Sequence, residues 1–326
     1  MTDSATTPGP VVERRAGWSA PILLGAFLLL ASATQATIFF LGPLAVFLAL
    51  SRPRTVREWG WLLLAVAALY VTFRLPPTLG DRTVRAAGLF FTGTFAALTV
   101  LGVPSLFTRV ALAVLTAAAT TAAGFAALGL RWSALREGII TRTWAGWQAL
   151  MPELPARPED AGTGIAAGET GQVAAQLAQS VQLLGDFLPG WLALLAFAGG
   201  WLAWQWTHRV ARHPIGPAPR PFRAFRFNDQ LIWAVVLALG ALLLPLPPAP
   251  ATALANLLFV LGGLYAARGL AVLRSALLPA PPAMTVLLCC LALPVLPLAL
   301  SGCAVLGVAD TWLDLRRRLP SPQGVN

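Results

Sequence analysis

The chain has 326 residues, of which 57% are hydrophobic and 11% are charged. Soluble domains carry about 25% charged residues, so this chain lacks the polar surface that a water-soluble enzyme of its length needs. The composition instead predicts an all-α, polytopic transmembrane helical bundle of about 8–10 membrane segments, some of them short or re-entrant.

All 23 basic residues are arginines, and the net charge is +10. A positive balance of this size also occurs in nucleic-acid-binding proteins. Here the arginines are scattered between apolar runs, as the positive-inside rule of membrane proteins requires. We therefore expect membrane lipid, and no nucleic acid, as a partner.

Residues 1–130 form the expected N-terminal transmembrane half. The first apolar run, residues 16–51, contains no charge and as one helix would measure about 54 Å, against a hydrocarbon core of about 30 Å. We expect a short helix pair over 20–50 that turns near residues 34–37 and either crosses twice or re-enters. An arginine pair before this run also resembles a signal peptide, but the run resumes after Ala36, which favours a retained anchor.

Three further spans are predicted in this half, over residues 59–74, 86–103 and 106–130. The segment 131–186 is expected to be extracytoplasmic. Its first part, residues 131–151, places tryptophans and aliphatic residues on one helical half, which suits a helix lying in the membrane interface. A structural cap over the bundle and a substrate lid are both compatible with this pattern.

The C-terminal transmembrane half is expected over residues 187–326. Its spans are predicted over 187–206, 230–246 and 252–273. Prolines between residues 245 and 250 predict the turn between the last two spans, because proline cannot continue a helix. The run 275–309 is again free of charge and has prolines in its middle, so we expect a second short helix pair over 283–313.

The distribution of arginine predicts the orientation. With the N-terminus inside, the inner segments contain 16 arginines and 6 acids, whereas the outer segments contain 7 arginines and 7 acids. All excess positive charge then lies on one side, as in a bacterial inner-membrane protein. Both termini are therefore expected in the cytoplasm.

Three landmarks in the second half suggest a family. They are a basic-aromatic sequence at 225–233, a run rich in small residues at 255–272, and a charged exit from the membrane at 306–318. In order, spacing and chain length they resemble the YybS-like family of uncharacterised bacterial membrane proteins, although a glutamine is expected there in place of Arg268. That family's architecture is distantly similar to the substrate-binding membrane subunits of energy-coupling-factor vitamin transporters, which implies a fold and no particular activity.

Polar groups inside spans are the candidate ligand or ion-pair residues, because each is costly in lipid. Arg268 and Asp310 are expected at similar depth and would pair, either to fix helix register or to serve a ligand; Asp314 competes for the same arginine. The uncharged Asn256 and Gln35 would bond across helices or line a polar pocket. Asn228 or Asp229 is expected to cap span 230–246.

No enzyme motif is present in the sequence: there is no nucleophile elbow, zinc-protease motif, P-loop or dinucleotide fingerprint. We therefore expect no enzyme, no cofactor and no metal. A membrane enzyme acting on lipid-linked substrates is disfavoured, because no acid–base pair stands out.

Two functions remain open. The first is a transport-related binder of a small molecule whose identity the sequence does not reveal. The second is a non-transporting membrane scaffold or regulator that engages a cytoplasmic or membrane protein partner, or anionic lipid, through basic loops. The residues expected to make those contacts are Arg220, Arg223, Arg226, Arg316, Arg317 and Arg318.

Overall fold

A computed structural model describes residues 19–32, 35–162, 169–277 and 295–318. These residues form α-helices with two 3-10 turns, and no β-strand occurs among them, which confirms the all-α bundle. The helices are α1 (Ser19–Ser32), α2 (Ile38–Leu50), α3 (Val56–Arg74), α4 (Leu79–Val100), α5 (Leu106–Ala127), α6 (Trp132–Leu150), α7 (Glu169–Asp186), α8 (Leu188–Val210), α9 (Leu231–Leu242), α10 (Pro248–Ala276), α11 (Leu296–Leu313) and α12 (Leu315–Arg318).

The first apolar run folds as two short helices, α1 and α2, of 14 and 13 residues. They are joined by a turn at residues 35–37 in which Gln35 has a φ of 54°, and this is where the sequence placed the break. Helix α2 continues through Pro43, although proline commonly interrupts a helix. Most of its residues are buried, so α2 lies at the centre of the bundle rather than at its surface.

Side-chain caps set where α3 and α4 begin. Thr55 and Glu58 form a reciprocal capping box at the start of α3, and Thr78 and Asp81 form another at the start of α4. Such boxes satisfy backbone N–H groups that the first turn leaves free. Helix α4 starts at Leu79, seven residues before the predicted span 86–103.

The segment between α5 and α8 has a small core of its own. Trp144 of α6 packs with Ala174, Ala178 and Val181 of α7, and its indole N–H donates to the carbonyl of Pro155 at 3.0 Å. The expectation that this tryptophan lies at the lipid interface is wrong, because only 2% of it is exposed. The apolar surface that contacts Trp144 is helix α7, whereas the sequence pattern had indicated lipid.

Two helices of the C-terminal half differ in length from their predicted spans. Helix α9 has only 12 residues, shorter than the span 230–246, and α10 has 29 residues, longer than the span 252–273. Helix α10 starts at Pro248 because proline is tolerated in a first turn, where its missing N–H would have no partner. Helix α8 follows α7 with a bend of 69°.

Small residues bring α10 and α11 into close contact. A Cβ atom on Gly269 would overlap the backbone of Cys303, and one on Gly307 would overlap the carbonyl of Tyr265. Small residues allow this approach in membrane helices, and the run 255–272 of α10 is rich in them. Helix α11 covers the second part of the predicted pair 283–313, whereas the first part lies outside the described residues.

The described helices include five that are long and apolar enough to cross a membrane, or up to six if the bent α7–α8 pair forms one span. Helices α2 and α9 are shorter apolar helices. Leu63 and Leu64 of α3 and Leu237 of α9 are more than half exposed. An exposed apolar surface of this kind indicates contact with lipid.

Contacts between helix ends divide the bundle into two ends. At what we call the basic end, α4 and α8 finish and α3, α5 and α9 begin. The Glu58 carboxylate of α3 there accepts the backbone N–H of Arg212, just after α8, at 2.6 Å. At the opposite end lie the 35–37 turn, the start of α4 and the α7–α8 junction. This alternation agrees with the grouping of loops inferred from the arginine distribution.

Candidate functional site

Arg268 lies at the centre of an ion network at the basic end, with 1% of its side chain exposed. Its Nε donates to Asp310 Oδ2 at 3.0 Å, and its Nη1 donates to Asp229 Oδ1 at 2.6 Å. The guanidinium also lies over the ring of Phe227, 5.5 Å from the ring centre. The predicted Arg268–Asp310 contact is therefore present, and Asp229 bonds to this arginine rather than capping α9.

The C-terminal segment adds further bonds to the network. Arg316 approaches Asp310 Oδ2 at 3.4 Å and donates to the carbonyl of Arg223 at 2.9 Å. Arg226 pairs with Asp314, the acid that the sequence offered as a competitor for Arg268. The network thus joins three arginines to three carboxylates and is electrically balanced. Balanced charges that bond to one another suit the fixing of helices in place.

Gln35 and Asn256 take part in bonds between helices, one of the two alternatives left open by the sequence. Gln35 accepts two hydrogen bonds from the Arg85 guanidinium, at 3.2 and 3.3 Å. Asn256 accepts the backbone N–H of Gly190 and donates to the carbonyl of Asp186, both at 2.8 Å. Neither side chain lines either of the cavities described next.

Two cavities lie between the helices. One, of about 680 Å³, is lined at the basic end by the start of α5, the middle of α8, α10 and the loop 217–226; we call it the basic-end cavity. The other, of about 780 Å³, lies between α4, α5, α6 and α8 near the opposite end. Arg268 and Asp310 line neither of them. Of the predicted site residues, Arg220 and Arg226 line the basic-end cavity.

Arg109, in the first turn of α5, also lines the basic-end cavity, although only 2% of it is exposed. Its Nη1 donates to Thr99 Oγ1 at 3.1 Å, and its guanidinium lies 4.3 Å from the centre of the Trp204 ring. No carboxylate of the described residues forms a salt bridge with it, and its Nε has no hydrogen-bond partner there.

Sequence reasoning missed Arg109 and Arg85. Arg85 stands just before the predicted span 86–103 and Arg109 in the first turn of the predicted span 106–130, and both were counted with the loops in the arginine distribution. Nothing in the local pattern marks either as buried. The buried acids Glu58 and Asp81 did carry a signal, since each follows a threonine by three residues in the manner of a capping box. Asp81 also pairs with Arg142 of α6 at 3.0 Å.

The predicted contact residues for a partner or lipid are divided by the structure. Arg220, Arg223 and Arg226 are exposed on the loop before α9, although Arg226 is paired. Arg316 is largely enclosed in the ion network. The side chains of Arg317 and Arg318 lie outside the described residues.

A metal centre is not formed by the described residues, in which no group of three or more metal-ligating side chains comes together.

No curated protein and no solved structure matches the chain. A family model described as "Predicted membrane protein (DUF2232)" matches residues 20–311, which is most of the chain. The alternating helices, the lipid-facing surfaces and this match agree, and the chain belongs to that family of predicted membrane proteins.

Proposed function

We propose that this protein binds a small solute inside the membrane, in a transport-related role, and that the basic-end cavity is the binding site. The observation that carries the proposal is the cavity itself. Its volume of about 680 Å³ falls within the range of about 300–1,000 Å³ typical of small-molecule sites. It is lined by α5, α8 and α10, so a ligand there would contact several spans at once.

The lining of the cavity has the composition of a ligand site. Most of it is apolar, and aromatic side chains form one wall, in which Phe107 stacks with Phe197 at 5.7 Å between ring centres. Trp201 and Phe225 adjoin that pair. Sites for small molecules combine such walls with a few polar groups that orient the ligand. Arg109 and Ser105 are polar groups of this kind.

The loop 217–226 covers the cavity and is held by the ion network. Arg226 pairs with Asp314, and Arg316 donates to the carbonyl of Arg223. The network around Arg268 therefore positions the cover, and we assign it a structural role in the binding site rather than contact with the ligand.

In this proposal the protein resides in a bacterial inner membrane with both termini in the cytoplasm, so the cavity opens near the cytoplasmic face. The YybS-like resemblance and its likeness to vitamin-uptake subunits are in line with solute binding. ATP-driven uptake would need a partner, because the sequence contains no P-loop.

Native mass spectrometry of the purified full chain tests this proposal. We expect a small molecule retained by the wild type and lost from Ala267→Phe, which places a ring in the cavity. The matched control is Ala67→Phe on the exposed face of α3, which should retain the molecule. Absence of any retained molecule from the wild type, or equal retention by both variants, would count against the cavity as a binding site.

The alternative function, a scaffold that engages anionic lipid or a protein partner, is favoured by one observation. Arg220 and Arg223 are exposed, and neither forms a salt bridge within the described residues. If this function holds, Arg223→Gln, at a position that does not line the cavity, should reduce the amount of phosphatidylglycerol that co-purifies, while the solute retained in the cavity should not change.

A further inference from the structure

We infer that the ligand of the basic-end cavity is an amphipathic anion, with an acidic group bound by Arg109 and an apolar body held against the aromatic wall. This inference rests on the proposed function, because it names the chemical class of the solute. A carboxylate, a phosphate or a sulfonate would supply the required charge.

The first argument compares the buried arginines of the described helices. Arg268 has two carboxylate partners. Arg85 bonds to Gln35 and to the carbonyls of Phe73 and Leu75. Arg109 alone among these three has one neutral hydroxyl as its hydrogen-bond acceptor. An arginine stays charged even when buried. None of the described carboxylates pairs with Arg85 or Arg109, but Arg85 is held by three neutral acceptors, whereas Arg109 has one and lines a cavity.

Hydrogen-bonding capacity supports the same conclusion. The guanidinium of Arg109 has five N–H donors, and the described residues accept from Nη1 only. Its Nε is shielded from water and has no partner. A buried donor without an acceptor destabilises a protein, and a bound carboxylate or phosphate would supply two acceptors in the arrangement that a guanidinium prefers.

The electrostatic surroundings point to the same sign of ligand charge. Every charged side chain that lines the cavity is an arginine, namely Arg109, Arg220 and Arg226, and no acid does. The first turn of α5 also lines it, from Ser105 to Phe107. The N-terminus of a helix of 22 residues carries a partial positive charge. Arg226 is paired with Asp314, so a cationic ligand would meet repulsion from Arg109, Arg220 and the helix N-terminus.

The Trp204 ring further prepares Arg109 for an anion. The indole face holds the guanidinium at 4.3 Å by a cation–π contact, and Thr99 fixes Nη1 from the other side of the α4–α5 turn. Both contacts orient the side chain without neutralising its charge. A fixed, uncompensated arginine beside an apolar cavity is therefore suited to recognise the head group of an amphipathic anion.

The experiment uses a matched pair of probes, anthracene-9-carboxylate and the neutral anthracene-9-methanol. The full chain is placed in phosphatidylcholine nanodiscs, and binding is measured by equilibrium dialysis with empty nanodiscs as the blank. We expect Arg109→Gln to weaken carboxylate binding about tenfold or more, the loss of a charged hydrogen bond, and to leave binding of the alcohol unchanged. Arg109→Lys should restore part of the affinity, and Arg85→Gln should change neither probe.

The source of the anion is distinguished by repeating the measurement with phosphatidylglycerol in the nanodisc. Competition with the carboxylate would identify an anionic lipid as the occupant, whereas unchanged binding would identify a free solute.

Equal carboxylate affinity in the wild type and Arg109→Gln would overturn the inference. If Ala267→Phe still abolished binding of both probes, the cavity would stand as a solute site and only the anion would be wrong. Failure of both probes to bind the wild type would remove the inference and the proposed function together. Should Arg109→Gln not fold, the wild-type preference for carboxylate over alcohol and its reduction in Arg109→Lys decide the question, and a wild type without preference refutes it.

Discussion

Replacement of Asp310 by asparagine should strongly destabilise the basic end of the bundle. Asp310 is the only fully buried carboxylate in the network, and both Arg268 and Arg316 approach its Oδ2 atom. Removal of one partner from a buried ion pair costs about 3–5 kcal/mol. Arg268 keeps Asp229 in this variant, so we expect a loss of about 3 kcal/mol, the lower end of that range.

The control is Asp229→Asn, which removes the other acid bonded to the same arginine. The Asp229 side chain is 63% exposed, and water screens such a pair, so we expect a loss of about 1 kcal/mol or less. Both variants keep the size of the side chain. The difference between them therefore isolates burial as the factor that makes one carboxylate matter more.

The measurement is unfolding of purified protein by SDS in mixed micelles, followed by circular dichroism. A double-mutant cycle with Arg268→Gln should give a coupling energy of about 1–3 kcal/mol, because residues in one network are not additive. Additive effects of the two substitutions, or an equal loss from Asp229→Asn, would refute the assignment of Asp310 as the shared buried partner.

Three further outcomes follow from the helix contacts. Asn256→Leu should lower the unfolding midpoint by the equivalent of about 1–2 kcal/mol in the same assay, because it leaves a backbone donor and a backbone acceptor without partners at the α8–α10 contact. Gly269→Ala should reduce the yield of folded protein in size-exclusion chromatography, since its Cβ would overlap the facing helix, whereas Gly262→Ala, with open space around it, should not. With both termini in the cytoplasm, Ala156→Cys should react with an impermeant maleimide in intact spheroplasts and Ala218→Cys only after lysis, both positions being exposed; the reverse pattern would invert the proposed orientation.

The fold could be predicted from the sequence where the evidence lay in one segment, or where it was summed over the whole chain. The charge-free run 16–51 was too long for one span, and the structure breaks it at residues 35–37. The arginine distribution grouped loops whose contacts place them at one end. Helix boundaries were harder, because Pro43 lies within α2 and Pro248 opens α10. Whether a proline breaks a helix depends on its position in the helix and on packing.

The candidate site was only partly predictable, for a related reason. The Arg268–Asp310 contact could be proposed because each charge interrupts an apolar run. Arg109 stands four residues after Ser105, at the edge of the apolar run of α5. An arginine in an exposed loop would have the same local sequence. Its burial is produced by Trp204 and the loop 217–226, about a hundred residues further along the chain. No periodicity within α5 encodes that contact.

The distinction between structural and ligand-binding charge therefore depends on how completely the charged group is bonded rather than on burial. Arg268 and Arg109 are 1% and 2% exposed, so burial alone does not separate them. In lipid, a charge that only fixes helices is expected to have its donors bonded, as Arg85 has to three neutral acceptors, because a buried charge left without partners costs roughly 3–5 kcal/mol. Arg268 has its acids on neighbouring segments of the chain. Arg109 lies at the wall of a cavity instead. Its unbonded charge destabilises the empty protein, and an anion that enters the cavity removes this destabilisation.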